Sequence, residues 1–550
     1  MADNIKIIPL GGFDKIGMNM TLIESGDSII AVDCGMSFPP DDMPGIAGMV
    51  PDVSYIKKNI DKFKGIVLTH GHEDHIGAIP YVIEELKAPI YGTPLTIALV
   101  EKRLAEFGIK GIKTKAIKMG STIVVGSFKV EFILTNHSIP DSAMLAIHTS
   151  QGVIVNTGDF KMDMSPVVGE TGNISRLSAL GTKGVLAVLS DSTNANREGS
   201  SKSELYVYEQ LRRFFSMYRR SRLVIVTFAT NMFRIQQIIN LAQMYGRKIA
   251  IEGELLLEVL DAAIKLGYVT IPKGLMISVD DIEKFSDEEV IFLTSGSHGA
   301  AVQCISEIAA GCHPTFVLKK GDVVLFSSVA IQGSEVEFNR TLNNMEELGA
   351  KVEFQELHAT GHACAEELKL LFSILRPKYL IPAHGEYRYR REAKRIAKEV
   401  GISENNILLI SNGDIVEMTE DSCEVTGNIP LEEILIDGHE KRKIDPEVIN
   451  DRRQLSESGV VVVEVCIDQK SGRLASKIAV TGRGFVDEKS FEAVLPELEK
   501  MAGKEVARFI GQGVKDSRIK NGVSEVVSEY VRNTIGKNPV VIVLITEVVL

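Results

Sequence analysis

The sequence predicts an α/β protein of several domains, on three grounds. Its 550 residues are too many for one hydrophobic core. Residues 1 to about 195 alternate short strands and helices, and the stretch from about 200 to 350 does so again. The tail from Gly459 then opens a smaller α+β unit with a strand, two helical stretches and a closing strand.

Ser28-Ile29-Ile30-Ala31-Val32 is a short apolar run, read as a strand that ends at Asp33. Gly65-Ile66-Val67-Leu68 is a second buried strand, and Ile76 to Leu86 a helix that admits Pro80 in its first turns. Phe128 to Thr135 and Val153 to Gly158 are further strands, running into His137 and Asp159. Ser203 to Tyr218 reads as a helix, Leu223 to Phe228 as a buried strand and Asn231 to Tyr245 as a helix. Ala365 to Leu375 is helical again, and the apolar run Lys378 to Ala383 ends at His384. Asp414 to Asp451 is polar and reads as an irregular linker. Gly459 to Ile467 begins the last unit, and Val540 to Leu544 closes it as a buried strand rather than an anchor.

Hydrophobic residues make up 45% and charged residues 24%, which describes an ordinary soluble protein. The start, MADNIKIIPL, lacks the pattern of a signal peptide, and no apolar run reaches the length of a membrane span. Cys34, Cys304, Cys312, Cys364, Cys423 and Cys466 are dispersed without a CxxC pair, as expected of reduced thiols in a cytoplasmic protein. A net charge of -12 argues against non-specific coating of nucleic acid, although a channel can still be locally basic. Lys110/Lys113/Lys115/Lys118 and Arg212/Arg213/Arg219/Arg220/Arg222 read as solvated faces. Arg388/Arg390/Arg391/Lys394/Arg395, closely following His384, is the patch expected to meet substrate.

The most informative stretch is Thr69-His70-Gly71-His72-Glu73-Asp74-His75-Ile76-Gly77. His70 and His72 can close on one metal ion, while Asp74 and His75 can reach a second. Divalent ions such as zinc take imidazole and carboxylate ligands, and paired ions about 3.5–4 Å apart polarise phosphoryl oxygens and activate water. A surface turn with scattered histidines is the bland reading. Against it, the strand before and the helix after hold the cluster rigid at both ends. Asp33, His137, Asp159 and His384 each stand at or just past the end of an apolar strand. Because His384 lies far downstream of Asp159, the chain between them reads as an inserted domain. The expected divisions are 1–200, 201–350 inserted, 351–420 returning, 421–450 as linker and 451–550.

The HxHxDH spacing resembles the metallo-β-lactamase superfamily. A large α/β insertion before the last ligand resembles its β-CASP group, whose substrates are nucleic acids. Asp191 in Ser190-Asp191-Ser192-Thr193-Asn194 matches the group's acidic first motif. His362 in His358-Ala359-Thr360-Gly361-His362-Ala363 matches the second, and His384 in Pro382-Ala383-His384-Gly385-Glu386-Tyr387-Arg388 the third. Thr227-Phe228-Ala229-Thr230-Asn231 and Phe326-Ser327-Ser328 add a resemblance to the ribonuclease J family over nearly the whole chain. It implies an α/β fold: a metallo-β-lactamase αββα sandwich, an inserted β-CASP α/β domain and a small C-terminal α+β domain. The chain departs from the family at His298, where Gln is usual, and at Thr360, where Ser is. Ser328 to Gly333 also lacks the proline-containing form.

The resemblance implies roles that the chemistry supports. His70, His72 and His137 would hold one ion and Asp74, His75 and His384 the other, bridged by the two oxygens of Asp159. The expected cofactors are two divalent ions per chain, zinc first, with manganese or magnesium as alternatives. His362 is the candidate general acid for the leaving 3′-oxygen. Asp33 and Asp191 would orient imidazoles or tune His362, a strand-end turn residue being the other reading of Asp33. Thr230, Asn231, Thr360, Gly361, His362 and Ala363 resemble the family's pocket for a 5′-terminal monophosphate. His148, His313 and His439 match no motif, His358 would support the loop before His362, and His298 could approach substrate.

The implied activity is a metal-dependent ribonuclease acting 5′-to-3′ on 5′-monophosphorylated RNA, with endonuclease cleavage open to it, in RNA decay and rRNA maturation. The implied partners are RNA, further copies in a homodimer or homotetramer, and an RNA-decay assembly, with no membrane. A small-molecule metallo-hydrolase would not need residues 200–350. A DNA-processing β-CASP nuclease would share the metal site, and a non-catalytic scaffold would bind no metal.

Overall fold

The computed structural model describes residues 3–39, 43, 45–295, 300–327, 335–353, 359–438, 442–511 and 516–549. His298, Ser328 to Gly333, His358 and His439 lie outside the described residues. The chain forms two units, Met1–Phe38 with Gly48–Ile434, and Pro39–Ala47 with Leu435–Leu550.

Two sheets face one another in the first unit. One has eight strands, in the order Cys423–Asn428, Asp414–Met418, Ile5–Gly11, Met20–Ser25, Ser28–Val32, Phe63–Val67, Ile90–Gly92 and Thr114–Ala116. The other has six: Tyr379–Ala383, Ala187–Asp191, Val153–Asn156, Ala143–His148, Phe128–Leu134 and Thr122–Val125. Period-two alternation feeds two cores from one strand. Ala143, Leu145 and Ile147 meet Ile5, Ile7, Ile23 and Val67 between the sheets. Met144 and Ala146 turn the other way, onto Leu177, Leu368, Leu371 and Ile396 of the helices Ile174–Lys183, Ala365–Leu375 and Tyr387–Glu399. The helix Pro94–Glu106 packs beside Ile90–Gly92 and Thr114–Ala116 of the eight-stranded sheet. This is the expected αββα sandwich.

A third sheet lies between Asp191 and Tyr379 in the chain. Its strands run in the order Met276–Ile277, Lys248–Glu252, Val290–Ser295, Leu223–Thr227, Val323–Phe326 and Lys351–Glu353, all paired in parallel. Leu223 and Ile225 enter one core and Val224 and Val226 the other. A parallel sheet covered on both faces explains why these strands are continuously apolar. Ser203 accepts from the Tyr206 N–H at 3.3 Å and Asn231 from the Arg234 N–H at 3.0 Å. These caps start the helices Glu204–Met217 and Met232–Met244 one residue inside the expected starts.

Where this domain meets the sandwich, buried Glu204 pairs with Arg234 at 3.1 Å and Lys161 at 3.4 Å, and Lys161 with Asp163 at 3.4 Å. The cations and carboxylates offset one another, which a lone buried charge could not do. Arg222, expected on a solvated face, is 1% exposed and paired with Asp322 at 2.6 Å.

The stretch Asp414 to Asp451 is not the irregular linker that its polarity suggested. Asp414–Met418 and Cys423–Asn428 extend the eight-stranded sheet, Ile434–Asp437 is a strand, and the helix Pro446–Ser458 begins within the stretch. Cys423–Asn428 is an edge strand exposed along most of its length. Polar residues suit an exposed edge, so its pattern mimics a loop.

In the second unit Ala479–Arg483, Val460–Asp468 and Val540–Val548 form a sheet, in that order. Val461, Val463 and Val465 pack on Leu498, Ala502, Val523 and Val527 of the helices Glu488–Gly511 and Asp516–Ile535. The closing strand runs past the expected Leu544 to Val548. Among the described residues no helix is long and apolar enough to cross a membrane.

Candidate metal centre

Val153–Asn156, Ala187–Asp191 and Tyr379–Ala383 are neighbouring parallel strands, with Asn156 beside Leu189 and Asp191 beside Ala383. Their C-terminal ends bring Asp159, Asp191 and His384 to one edge, where open α/β sheets place their ligands. On the facing sheet Ser28–Val32 and Phe63–Val67 are also parallel and deliver Asp33 and the 69–77 loop. Asp33 has φ 62 and His384 φ 46, left-handed conformations that cost a non-glycine residue energy. Bonds hold both in place: His384 N–H donates to the Gly12 carbonyl at 2.7 Å, and Asp33 Oδ1 accepts the Thr69 N–H at 2.8 Å.

Two groups of imidazoles and carboxylates converge there, and a third set able to hold a metal, Asp159, Asp191 and His362, lies beside them. His72 Nδ1 lies 3.1 Å from His70 Nε2 and 3.0 Å from His137 Nε2, and Asp159 Oδ2 lies 3.7 Å from each of the latter two. In the second group His75 Nε2 is 3.6 Å from Asp74 Oδ2 and 3.3 Å from Asp159 Oδ1, and His384 Nε2 is 3.4 Å from Asp74 Oδ2. Within each group the ligand atoms lie within 4.8 Å of one another. Asp159 turns one oxygen to each group.

The donor set fits a divalent metal. Three imidazole nitrogens converge at about 3 Å, an arrangement that a cation among them would satisfy at once. The buried His384 Nε2 makes no well-formed hydrogen bond, and Asp74 Oδ2 faces it at 3.4 Å. A divalent ion taking nitrogen and carboxylate oxygen satisfies both conditions.

Outer bonds leave one nitrogen of four of the five rings for its group, whereas His384 Nδ1 meets Asp159 within its own group. His75 Nδ1 donates to Asp33 Oδ2 at 2.8 Å, and His137 Nδ1 to the Gly361 carbonyl at 2.7 Å. His72 Nε2 lies 3.0 Å from Thr230 Oγ1, and His70 Nδ1 3.0 Å from Thr69 Oγ1. Such partners fix tautomer and ring orientation. Asn19 went unnoticed in the sequence: its Nδ2 lies 3.1 Å from both the Asp74 carbonyl and His75 Nε2. A lone Asn far upstream carries no pattern, whereas Thr69 at least heads the motif.

The protein's own charges divide the two groups. Burial, then the neighbouring imidazoles, holds His70 and His137 well below the ordinary histidine range, and burial draws His72 down to about 4. For His75 and His384 burial is outweighed by the carboxylates of Asp159 and Asp74, which push His384 up to about 10 and His75 well up. Asp159 and Asp74 stay ionised despite burial because His384 and His75 face them. The surroundings thus shift the imidazoles of the two groups in opposite directions.

Beside the groups, His362 Nδ1 donates to Asp191 Oδ2 at 2.8 Å. Asp191 Oδ1 accepts from the Thr193 N–H at 2.9 Å and its hydroxyl at 2.7 Å. The His362 side chain is 22% exposed, enough to meet a substrate. Burial opposes its protonation, but Asp191 and Asp159 outweigh burial and raise its pKa.

The residues expected to form a phosphate pocket spend many polar atoms on the fold. Asn231 Oδ1 is a helix cap, and Thr360 Oγ1 accepts from Asn194 Nδ2 at 2.7 Å and the His362 N–H at 3.2 Å. The Gly361 carbonyl holds His137, and Ala363 lies in a core. A Cβ at Gly361 would stand 2.6 Å from the His137 ring. Gly361→Ala is therefore expected to shift His137 and weaken metal binding with the fold intact. Competition with a chromophoric chelator, alongside circular dichroism, checks this.

The basic patch after His384 is largely neutralised. Arg388 pairs with Glu386, Lys394 with Glu404, and Arg395 with Glu392 and Glu399, while Arg390 is buried against Asp14. Arg395 finds its glutamates one turn away on the same helix, whereas Glu386, Glu404 and Asp14 lie outside it. His148 faces Glu131 at 3.6 Å, and buried His313 accepts the Phe316 N–H at 3.0 Å, both structural uses.

Four family models match the chain. They are the metallo-beta-lactamase superfamily over residues 16–161, the ribonuclease J beta-CASP domain over 220–345, the Zn-dependent metallo-hydrolase RNA specificity domain over 350–408 and the ribonuclease J C-terminal domain over 447–548. Ribonuclease J2 of Bacillus subtilis (strain 168) is 37% identical over 552 residues, covering 100% of this chain and 99% of that protein. Ribonuclease J 1 of Streptococcus pyogenes serotype M3 is 37% identical over 88% of this chain and 87% of its own. Ribonuclease J 2 of Staphylococcus aureus is 34% identical over 99% of this chain and 98% of its own. A crystal structure of a protein of unknown function from Enterococcus faecalis V583 shares the fold, with TM-score 0.53 and 15% identity over 76% of this chain and 100% of that one. Identity spread over the whole length, with each domain matched in order, leaves one conclusion: the chain belongs to the ribonuclease J family of the metallo-β-lactamase superfamily.

Proposed function

We propose that this chain is a metal-dependent ribonuclease that removes nucleotides 5′-to-3′ from 5′-monophosphorylated RNA and can also cut internally, serving RNA decay and rRNA maturation. The observation that carries the proposal is the pair of ligand groups sharing Asp159, with the His362–Asp191 pair alongside. The ribonuclease J relatives and the match to an RNA specificity domain favour RNA over DNA or a small molecule.

His70, His72 and His137 hold one divalent ion and Asp74, His75 and His384 another, with Asp159 serving both; zinc is the first choice. Bound ions supply Lewis-acid activation of the phosphoryl oxygen and of water. Asp33 keeps the His75 ring turned to its group. Asp191 takes the Nδ1–H of His362, which leaves Nε2 to carry a proton to the departing 3′-oxygen. The sandwich of 1–200 and 351–420 binds metal, 201–350 is the inserted β-CASP domain, 421–450 links the sandwich onward, and 451–550 assembles chains into a homodimer or homotetramer in the cytoplasm, with an RNA-decay assembly as the wider partner.

The test is incubation with 5′-labelled monophosphorylated RNA and a matched DNA strand, with and without chelator. Labelled mononucleotide should leave the RNA, stop with chelator and resume with Zn²⁺ or Mn²⁺. Intact RNA, or faster loss of DNA, refutes the proposal. Deleting the chain from about residue 446 removes a domain with its own core and none of the ligand residues. Sedimentation should then show smaller assemblies or RNA affinity should fall, with metal content unchanged.

A further inference from the structure

We propose that Thr230, on the inserted domain, positions the metal ligand His72, so that docking of the insertion and loading of the metal depend on one another. The inference rests on reading His70, His72 and His137 as ligands of one ion. His72 lies in the 69–77 loop of the sandwich, whereas Thr230 lies between the strand Leu223–Thr227 and the helix Met232–Met244 of the insertion. His72 Nδ1 is the atom turned into the group, 3.1 Å from His70 Nε2 and 3.0 Å from His137 Nε2. A ligating nitrogen is unprotonated, so the neutral ring carries its proton on Nε2. Thr230 Oγ1 accepts that N–H at 3.0 Å. The bond holds the Nε2–H and turns the ring, as outer partners of ligand histidines do.

Three other histidines differ in where this help comes from. His70 leans on Thr69, His75 on Asp33 and His137 on the Gly361 carbonyl, all outside the 201–350 insertion. Among these four, His72 alone takes its outer partner from the insertion. The Thr230 segment is firmly held: the Met232 N–H donates to its carbonyl at 2.8 Å, and Asn231 caps the helix through the Arg234 N–H at 3.0 Å. The Arg234 side chain is buried against Glu204, which also meets Lys161, close after Asp159. One short segment is thus tied to a ligand on one side and, on the other, to the charge cluster that joins the domains. By linkage, an ion that binds the docked arrangement more tightly must favour docking to the same extent.

Thr230→Val keeps the shape and removes the acceptor, and Thr230→Ser restores it. The full-length wild type and both variants are titrated with Zn²⁺ against a chromophoric chelator, and amide hydrogen exchange over residues 231–235 is followed with and without Zn²⁺. The valine variant should lose about 10–100-fold in affinity for one Zn²⁺ equivalent, and the serine variant should regain it. Zn²⁺ should slow exchange in the wild type and the serine variant but not in the valine variant. Unchanged Zn²⁺ affinity in the valine variant, with weaker binding of 5′-monophosphorylated RNA, overturns the inference and returns Thr230 to a phosphate pocket. Equal losses in both variants overturn it too, since the hydroxyl would then not be the cause. A wild type that takes up no Zn²⁺ overturns the metal reading itself, a failure visible before any variant is compared.

Discussion

His384→Ala and His75→Ala are each expected to empty the second ligand group and to abolish RNA hydrolysis while the fold survives. The two side chains come from distant parts of the chain, yet both face Asp74 and Asp159 within 3.6 Å. Each is buried. Loss of the ion also leaves Asp74 and Asp159 as neighbouring carboxylates with less positive charge to offset them. Elemental analysis after dialysis should show about one equivalent of metal fewer, and RNA cleavage should fall to background. Circular dichroism should remain that of the wild type. Full metal content with full activity in either variant would remove that residue from the ligand set.

His362→Ala should have a large effect of a different kind. Metal content and RNA affinity should be nearly unchanged, while cleavage slows by about 10²–10⁴-fold, the usual contribution of a general acid or base. The motivation is geometric. His362 is held by Asp191, which Thr193 holds in turn, and its ring is partly exposed beside the ligand groups rather than enclosed within them. A phosphodiester with a nitrophenolate leaving group needs no proton on departure and should largely escape the defect. If both substrates slow equally, or one metal is lost, His362 positions or ligates and the proton comes from elsewhere. Asp191→Asn should slow RNA cleavage in the same direction, because an amide cannot hold the Nδ1–H as a carboxylate does.

Much of this was legible in the chain because it is written in local pattern. Strands such as Ser28–Val32 and helices such as Ala365–Leu375 fall where apolar periodicity put them. The pattern failed at Cys423–Asn428, where an exposed edge strand carries the polar residues of a loop. It failed again on the helix Tyr387–Glu399, where arginines counted as a substrate face are largely paired with glutamates of their own neighbourhood. Asn19 was invisible because its importance lies only in what it touches, and Thr193 stood in a motif without showing that it holds Asp191.

By itself the sequence determined the fold class, the family and the chemical types gathered for the site, since the HxHxDH spacing and the strand-end Asp and His residues are properties of consecutive positions. Only the tertiary structure decided how they converge: which oxygen of Asp159 faces which group, that Asp33 turns His75, and that a hydroxyl of the inserted domain lies against His72. The physical reason is range. Backbone periodicity is set by neighbours a few residues apart, whereas a hydrogen bond between Thr230 and His72 exists only once two sheets and an inserted domain have packed.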